Sequence, residues 1–104
     1  MAQFFVERKL LYSLKNESER HEFSVRIMPP RYLVEGEKFF EPGAETAVCS
    51  IEFDGIDGQN DKTYGADLLQ ALELSVNSVE PMLRRLSKKY DLYFPSGEPY
   101  FEDD

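Results

Sequence analysis

The chain has 104 residues, of which 41% are hydrophobic, including 8 Phe and 6 Tyr, and this composition predicts one small globular domain rather than a disordered chain. The 20 acids against 12 Lys and Arg give a net charge of −8, which argues against nucleic-acid binding because phosphate contacts require clustered cations. Cys49 is the only cysteine, so an internal disulfide is excluded and a cysteine-based metal site lacks ligands.

Two features bear on localisation. No apolar run approaches the roughly 20 residues that a membrane helix needs. The first ten residues, MAQFFVERKL, lack the basic region, apolar core and cleavage site of a signal peptide. We therefore expect a cytoplasmic protein without a membrane partner.

Two strands are predicted at the start of the chain, Phe4–Leu14 and Arg20–Met28, because apolar and polar residues alternate in both. The polar turn Lys15–Glu19 separates them and predicts an antiparallel hairpin. Pro29 and Pro30 end the second strand, since neither can donate to a ladder. The positions predicted to face the core are Phe4, Val6, Leu10, Tyr12 and Leu14 in the first strand and Phe23, Val25 and Ile27 in the second.

The segment Arg31–Gly43 is open to more than one interpretation. It forms a small hairpin, a loop over one sheet edge, or a loop packed on the core. If its aromatic residues are exposed, it is the best candidate for partner contact, because aromatic anchors inside a charged rim are typical of binding hot spots. The candidate partner-binding residues are Phe39, Phe40, Glu37, Glu41 and Glu45.

A third strand is predicted at Ala44–Phe53 and a fourth, shorter one at Gln59–Tyr64. Between them, Asp54-Gly55 and Asp57-Gly58 are turn signals. The same stretch fails the calcium-binding EF-hand pattern, because Ile56 and Gly58 stand where oxygen-bearing side chains are required. We expect a tight turn and no metal site.

The segment Ala66–Lys89 predicts the main helix, because its apolar residues recur at steps of three and four. Asp67 is a suitable N-cap, and Gln70 three residues later completes a capping-box pattern. Pro81 removes one hydrogen bond, so we expect a kink, or a break with Pro81 opening a second short helix. The apolar stripe consists of Leu68, Leu69, Leu72, Val76, Val79, Leu83 and Leu86.

The end of the chain changes character after Pro95. Tyr90–Pro95 is short and apolar and suits an edge strand or a contact with the core. From Ser96 onward the chain is polar and acidic, and we expect it to be frayed unless Tyr100 and Phe101 dock. The domain boundaries predicted on this basis are 1–95 for one α+β domain and 96–104 for an acidic tail.

Together these elements predict an α+β fold. Such a helix cannot bury its apolar stripe alone, so the strands must form the sheet on which it packs. We expect an antiparallel meander of about four strands, with one long, Pro-kinked C-terminal helix covering one face.

The block Tyr64-Gly65-Ala66-Asp67-Leu68-Leu69-Gln70-Ala71-Leu72 resembles the signature Tyr-Gly-x-Asp-x-x-Gln-Ala-Leu of a family of small uncharacterised bacterial proteins. The strand Ser24–Ile27 before Pro29 and the ending Phe94-Pro95 are also similar. The resemblance spans roughly Phe5 to Pro95, and the chain departs from the family in the stretch Tyr32–Phe40 and in the acidic tail. It implies strands followed by a helix in a bacterial cytoplasmic protein, and it implies no activity.

Three functional hypotheses remain open. The leading one is a non-enzymatic protein-binding module, for example an immunity-type protein that neutralises a basic partner, because the chain is small and acidic and shows no catalytic or cofactor motif. The second is a small-molecule-binding protein or small enzyme with a pocket between sheet and helix, lined by Tyr12, His21, Tyr64 or Asp67. The third is a structural homodimer, since neither monomer nor homodimer is excluded.

Overall fold

The computed structural model describes residues 6–57 and 60–102. The fold is α+β, with one open antiparallel sheet and one helix, as predicted. The expected four strands are wrong, because the described residues form six. In chain order the elements are β1 (Val6–Leu14), β2 (His21–Ile27), β3 (Arg31–Tyr32), β4 (Ala47–Asp54), β5 (Asp61–Gly65), α1 (Leu68–Leu86) and β6 (Tyr90–Tyr93).

The longest path through the sheet runs β3-β4-β2-β1-β6, and β5 also pairs with β4. Ala47 and Val48 pair with β3 on one side and with β5 on the other. β2 pairs with the second half of β4, residues 51–54, on the same side as β3. The backbone N–H of Met28 donates to the Ser50 carbonyl at 2.9 Å, so the ladder continues from β2 toward β3 despite the two prolines.

The α1 helix covers one face of this sheet over two apolar clusters. The first cluster joins β2 and β4 to Ala71 and Met82 of the helix. The second joins β1, β2 and β6 to Leu83. Since side chains alternate along a strand, the residues between these core positions face away from α1.

Small residues bring the helix close to the sheet. Ala71 and Ser75 are fully buried. The Ser75 hydroxyl lies 2.7 Å from the Thr63 hydroxyl, and Thr63 donates to the Ala71 carbonyl at 2.8 Å. These bonds satisfy buried hydroxyl groups at the contact between β5 and α1, where an unpaired polar group would be costly.

Pro81 lies inside a single helix that runs from Leu68 to Leu86, so the predicted break is wrong and the predicted kink is not confirmed. The two residues after Pro81 explain why the helix continues. Met82 and Leu83 are buried in the two core clusters, and their packing holds the last helical turns on the sheet. The helix is also not C-terminal, because β6 follows it and pairs with β1.

The chain after β6 folds back on the sheet. Tyr93 forms a β-bridge with Pro99, and the Tyr100 N–H donates to the Leu92 carbonyl at 2.9 Å. Tyr100 and Phe101 pack against the second core cluster. The described part of the predicted acidic tail, residues 96–102, is therefore docked rather than frayed.

Some predictions fall on residues that the structure does not describe. Phe4, at the start of the first predicted strand, lies outside the described residues. So do Gly58 in the predicted turn, Gln59 at the start of the fourth predicted strand, and the last two acids of the predicted tail.

Candidate protein-binding surface

The loop between β3 and β4, residues 33–46, is held by an ion pair at its start. The Arg31 guanidinium donates two hydrogen bonds to the Glu37 carboxylate, both 2.8 Å long. The Val34 N–H donates to the same carboxylate at 2.8 Å. The hydrogen bonds from Arg31, followed by that from Val34, lower the pKa of Glu37 to about 2. Glu37 is thus a structural residue of the β3–β4 loop and is half-buried.

Phe39 stands at the turn of the β3–β4 loop in an unusual backbone conformation. Its φ is 71°, a left-handed value that bulky side chains rarely adopt. Its side chain is 59% exposed, yet its ring packs edge-on against Tyr64, with 5.1 Å between centroids. The structure therefore fixes the orientation of an aromatic ring that remains largely in solvent.

Tyr64 supports Phe39 from the face of the sheet that α1 does not cover. The neighbouring Thr63 faces α1, so Tyr64 faces away from it. Tyr64 of β5 pairs with Val48 of β4, which is buried although it also faces away from the helix. The β3–β4 loop thus lies against this second face. The segment Arg31–Gly43 combines two of the predicted alternatives, a hairpin, because β3 pairs antiparallel with β4, and a loop packed on the sheet.

The five candidate residues have different environments. Phe39, Glu41 and Glu45 are exposed to solvent. Phe40 is half-buried, and Glu37 is engaged by Arg31. The structure therefore presents three of the five candidates at the surface and uses one to shape the loop.

Two exposed apolar residues of β3 and its following loop were not singled out as binding residues from the sequence. Val34 is 59% exposed and Tyr32 is 39% exposed. Their alternation with Arg31 and Leu33 was a possible signal, but the short segment allowed several interpretations. Tyr32 pairs directly with Ala47 of the first core cluster, so it lies on the α1 side of the sheet, whereas Phe39 lies against the other face. The term β3–β4 surface is used below for Val34, Phe39, Glu41 and Glu45.

Asp67 and Gln70 form a cap at the start of α1. The Asp67 carboxylate accepts a hydrogen bond from the Gln70 N–H at 2.8 Å. The Gln70 side-chain oxygen accepts from the Ala66 N–H at 2.5 Å, one residue before the usual capping-box donor. These contacts give both residues a structural role.

A separate groove lies between β1 and α1. It has a volume of about 460 Å³ and is bordered by Arg8 and Glu80, which form an ion pair at 3.3 Å. The groove is lined by Val6, Glu7, Arg8, Val25, Ile27, Val76, Asn77, Val79 and Glu80.

None of the four residues suggested for a pocket lines this groove. Tyr12 and His21 stack together, with 5.2 Å between ring centroids, while Tyr64 contacts Phe39 and Asp67 caps α1. The structure therefore does not bring the four into one pocket.

Within the described residues, no group of three or more His, Cys, Asp or Glu side chains is arranged to hold a metal ion. The same part of the chain contains no helix with the length and apolar character needed to cross a membrane. Cys49 is buried, and its thiol donates to the Met28 carbonyl at 3.3 Å.

Comparison with protein families, with characterised proteins and with solved structures gives no significant match. The resemblance of the Tyr64–Leu72 block to a family of small bacterial proteins therefore stays a prediction.

Proposed function

We propose that the chain is a non-enzymatic protein-binding module and that its partner contacts the β3–β4 surface. The observation that carries this proposal is the Phe39 ring, which is 59% exposed and yet held by Tyr64. An aromatic side chain whose orientation is fixed before binding loses little conformational entropy on association, which favours affinity.

The charge around Phe39 favours a basic partner. Glu35, Glu41 and Glu45 are exposed in the β3–β4 loop, where Lys38 is the only base. The whole chain carries a net charge of −8, so its field attracts cations over a longer range. An immunity-type protein that neutralises a basic toxin is one specific form of this proposal.

The experiment is a pull-down from the native host at low salt, with the wild-type chain and two variants as bait. Phe39→Ser removes the proposed anchor. Leu69→Ser is the matched control, because Leu69 is 66% exposed but lies on α1. We expect a basic protein to be retained by the wild type and the control and to be lost with Phe39→Ser or at high salt.

Three results would contradict the proposal. Retention of the partner by Phe39→Ser would remove the β3–β4 surface as the site. Binding that is indifferent to salt would remove the electrostatic component. A large drop in melting temperature for Phe39→Ser would show that the ring belongs to the core.

A second candidate function is the binding of a small apolar ligand in the groove between β1 and α1. Its volume of about 460 Å³ lies within the roughly 300–1,000 Å³ of ligand sites in proteins. The test is the variant Val76→Trp, whose larger side chain fills the groove from α1. It should abolish ligand-induced stabilisation in a thermal-shift screen and leave partner binding at the β3–β4 surface intact. Ligand shifts that survive Val76→Trp would exclude the groove.

A further inference from the structure

One side of β1 is only partly used by the sheet. On the side away from β2, β6 pairs with Leu11–Leu14. Across residues 6–57 and 60–102, no strand pairs with Val6–Leu10 on that side. An unpaired edge presents backbone N–H and C=O groups to an incoming strand. Val6–Leu10 is called the free edge segment below.

We propose that the free edge segment pairs antiparallel with the same segment of a second copy, giving a two-fold symmetric dimer with one continuous sheet. The two-fold axis passes beside Arg8. This arrangement places Val6 opposite Leu10 of the partner subunit and Glu7 opposite Lys9 of the partner subunit, twice by symmetry. The inference goes beyond the proposed function, because it uses a different part of the molecule and a second copy of this chain.

The charges on the face away from α1 favour this pairing. Leu10 belongs to the core cluster under α1, so Glu7 and Lys9 face the other way. Lys9 is exposed and forms no ion pair with any described residue. In the dimer it lies opposite Glu7 of the partner subunit, and opposite charges in directly paired positions are stabilising.

The proposed pair extends a row of alternating charges that already crosses the sheet. Arg26 on β2 lies 3.3 Å from Asp54 and 3.0 Å from Glu7. The partner's Lys9 continues the row on the other side of Glu7. Lysine on an open edge usually prevents pairing between molecules, and here the opposing Glu7 removes that obstacle.

Neighbouring registers are disfavoured by charge. Registers that keep both α1 helices on the same face of the joint sheet differ by two residues. A shift in one direction places Glu7 opposite Glu7 of the partner subunit, and a shift in the other places Lys9 opposite Lys9 of the partner subunit. Like charges in direct opposition are destabilising, and both shifted registers also lose the two Glu7–Lys9 pairs, so the register centred on Arg8 is favoured.

Arg8 meets its own copy at the axis, and its charge is already balanced. It lies 3.3 Å from the Glu80 carboxylate and donates to the Tyr100 hydroxyl at 2.5 Å. Both contacts lie on the α1 face, away from the face that carries Glu7 and Lys9.

The experiment measures the mass of the full chain by sedimentation velocity across the concentration range used for NMR. We expect a reversible dimer for the wild type. Lys9→Glu should raise the dissociation constant of the dimer at least about tenfold, because both cross-strand pairs become repulsive. Lys88→Glu is the matched control, an identical charge change at an exposed site beyond α1, and should leave the dimer unchanged.

Complementary variants test the register. Glu7→Lys alone and Lys9→Glu alone each place like charges opposite one another. In a mixture of the two, both positions pair Lys with Glu, so a heterodimer should form. Far-ultraviolet circular dichroism checks that each variant is folded.

The proposal is overturned if the wild type is a monomer throughout the range, if Lys9→Glu leaves the dimer intact, or if the folded variants fail to associate when mixed. Its failure is distinguishable from failure of the proposed function. Phe39→Ser should leave the dimer unchanged, and Lys9→Glu should leave the β3–β4 surface able to bind.

Discussion

At the scale of single residues, the carboxylate of Asp67 satisfies a backbone donor that the first turn of α1 leaves without a helical partner. Asp67→Ala should therefore lower the free energy of unfolding by about 0.5–2 kcal/mol. Asp67→Asn should cost much less, because its amide oxygen still accepts the bond from Gln70. Urea denaturation of the three proteins gives the comparison. Equal damage from both changes would mean that the negative charge has a role besides capping.

Glu37 should make the β3–β4 loop sensitive to acid. Its pKa is about 2 in the folded chain, compared with 4.5 for an ordinary glutamate. The contribution of its charge to stability is fully present above about pH 4.5 and is lost as the pH falls through about 2. In an NMR titration, the Val34 amide should follow the protonation of Glu37. Glu37→Gln should abolish this transition, and Glu41→Gln, at an exposed position of the same loop, should preserve it.

These residues also show which details a sequence reveals. The Asp67 and Gln70 contacts are local, so their spacing alone suggested them. The role of Glu37 was hidden, because its pairing with Arg31 depends on the path between β3 and β4. Phe39 was selected for its residue type, whereas its left-handed backbone and its contact with Tyr64 required the fold.

At the scale of elements, α1 contacts β5 closely through the small residues Ala71 and Ser75. Ser75 is fully buried and lies 2.7 Å from the Thr63 hydroxyl. Ser75→Leu should lower the free energy of unfolding by about 1–3 kcal/mol or more, because it overpacks the contact and breaks a buried hydrogen bond. Asn77→Leu, at an exposed position of the same helix, should change stability by no more than about 0.5 kcal/mol. Thermal unfolding of both variants tests the difference. Similar losses of stability would show that any leucine substitution in α1 is destabilising, whether or not the position contacts the sheet.

The elements also differ in how well a repeat in the sequence predicts them. The long α1 and the alternating β1, β2 and β4 have clear repeats, so their type was predictable. β3 has only two residues, Arg31 and Tyr32, too few for a repeat to be recognised. The helix passes through Pro81 because Met82 and Leu83 are buried beyond it, and tertiary packing of this kind is invisible to a local rule.

At the scale of the whole molecule, the C-terminal segment connects parts that are distant in sequence. The Tyr100 hydroxyl contacts Arg8 of β1 and Glu80 of α1. The Phe101 ring packs on the second core cluster and lies 3.9 Å below the Arg84 guanidinium.

Phe101→Ala should therefore destabilise the entire fold rather than loosen a tail. We expect the free energy of unfolding to fall by about 1–3 kcal/mol, less than for a fully buried phenylalanine because this ring is half-buried. Glu102→Ala, at the exposed neighbouring position, should have little effect. Guanidinium denaturation distinguishes the two variants, and equal stability of both would show that the segment is dispensable.

The pairing of β1 with β6 also has a consequence for the synthesis of the chain. A ribosome adds about 5–20 residues per second, so β1 exists for seconds before the chain extends to β6. During that time β1 and β2 can form their hairpin, but Leu10 and Phe23 lack Tyr90 and Leu92, which complete their cluster. Leu14 cannot pair with Tyr90 until Tyr90 has been synthesised and has left the ribosome. The nascent chain therefore carries an uncovered apolar surface until β6 emerges, and a message truncated before Tyr90 yields a product suited to chaperone binding and proteolysis rather than a smaller folded domain.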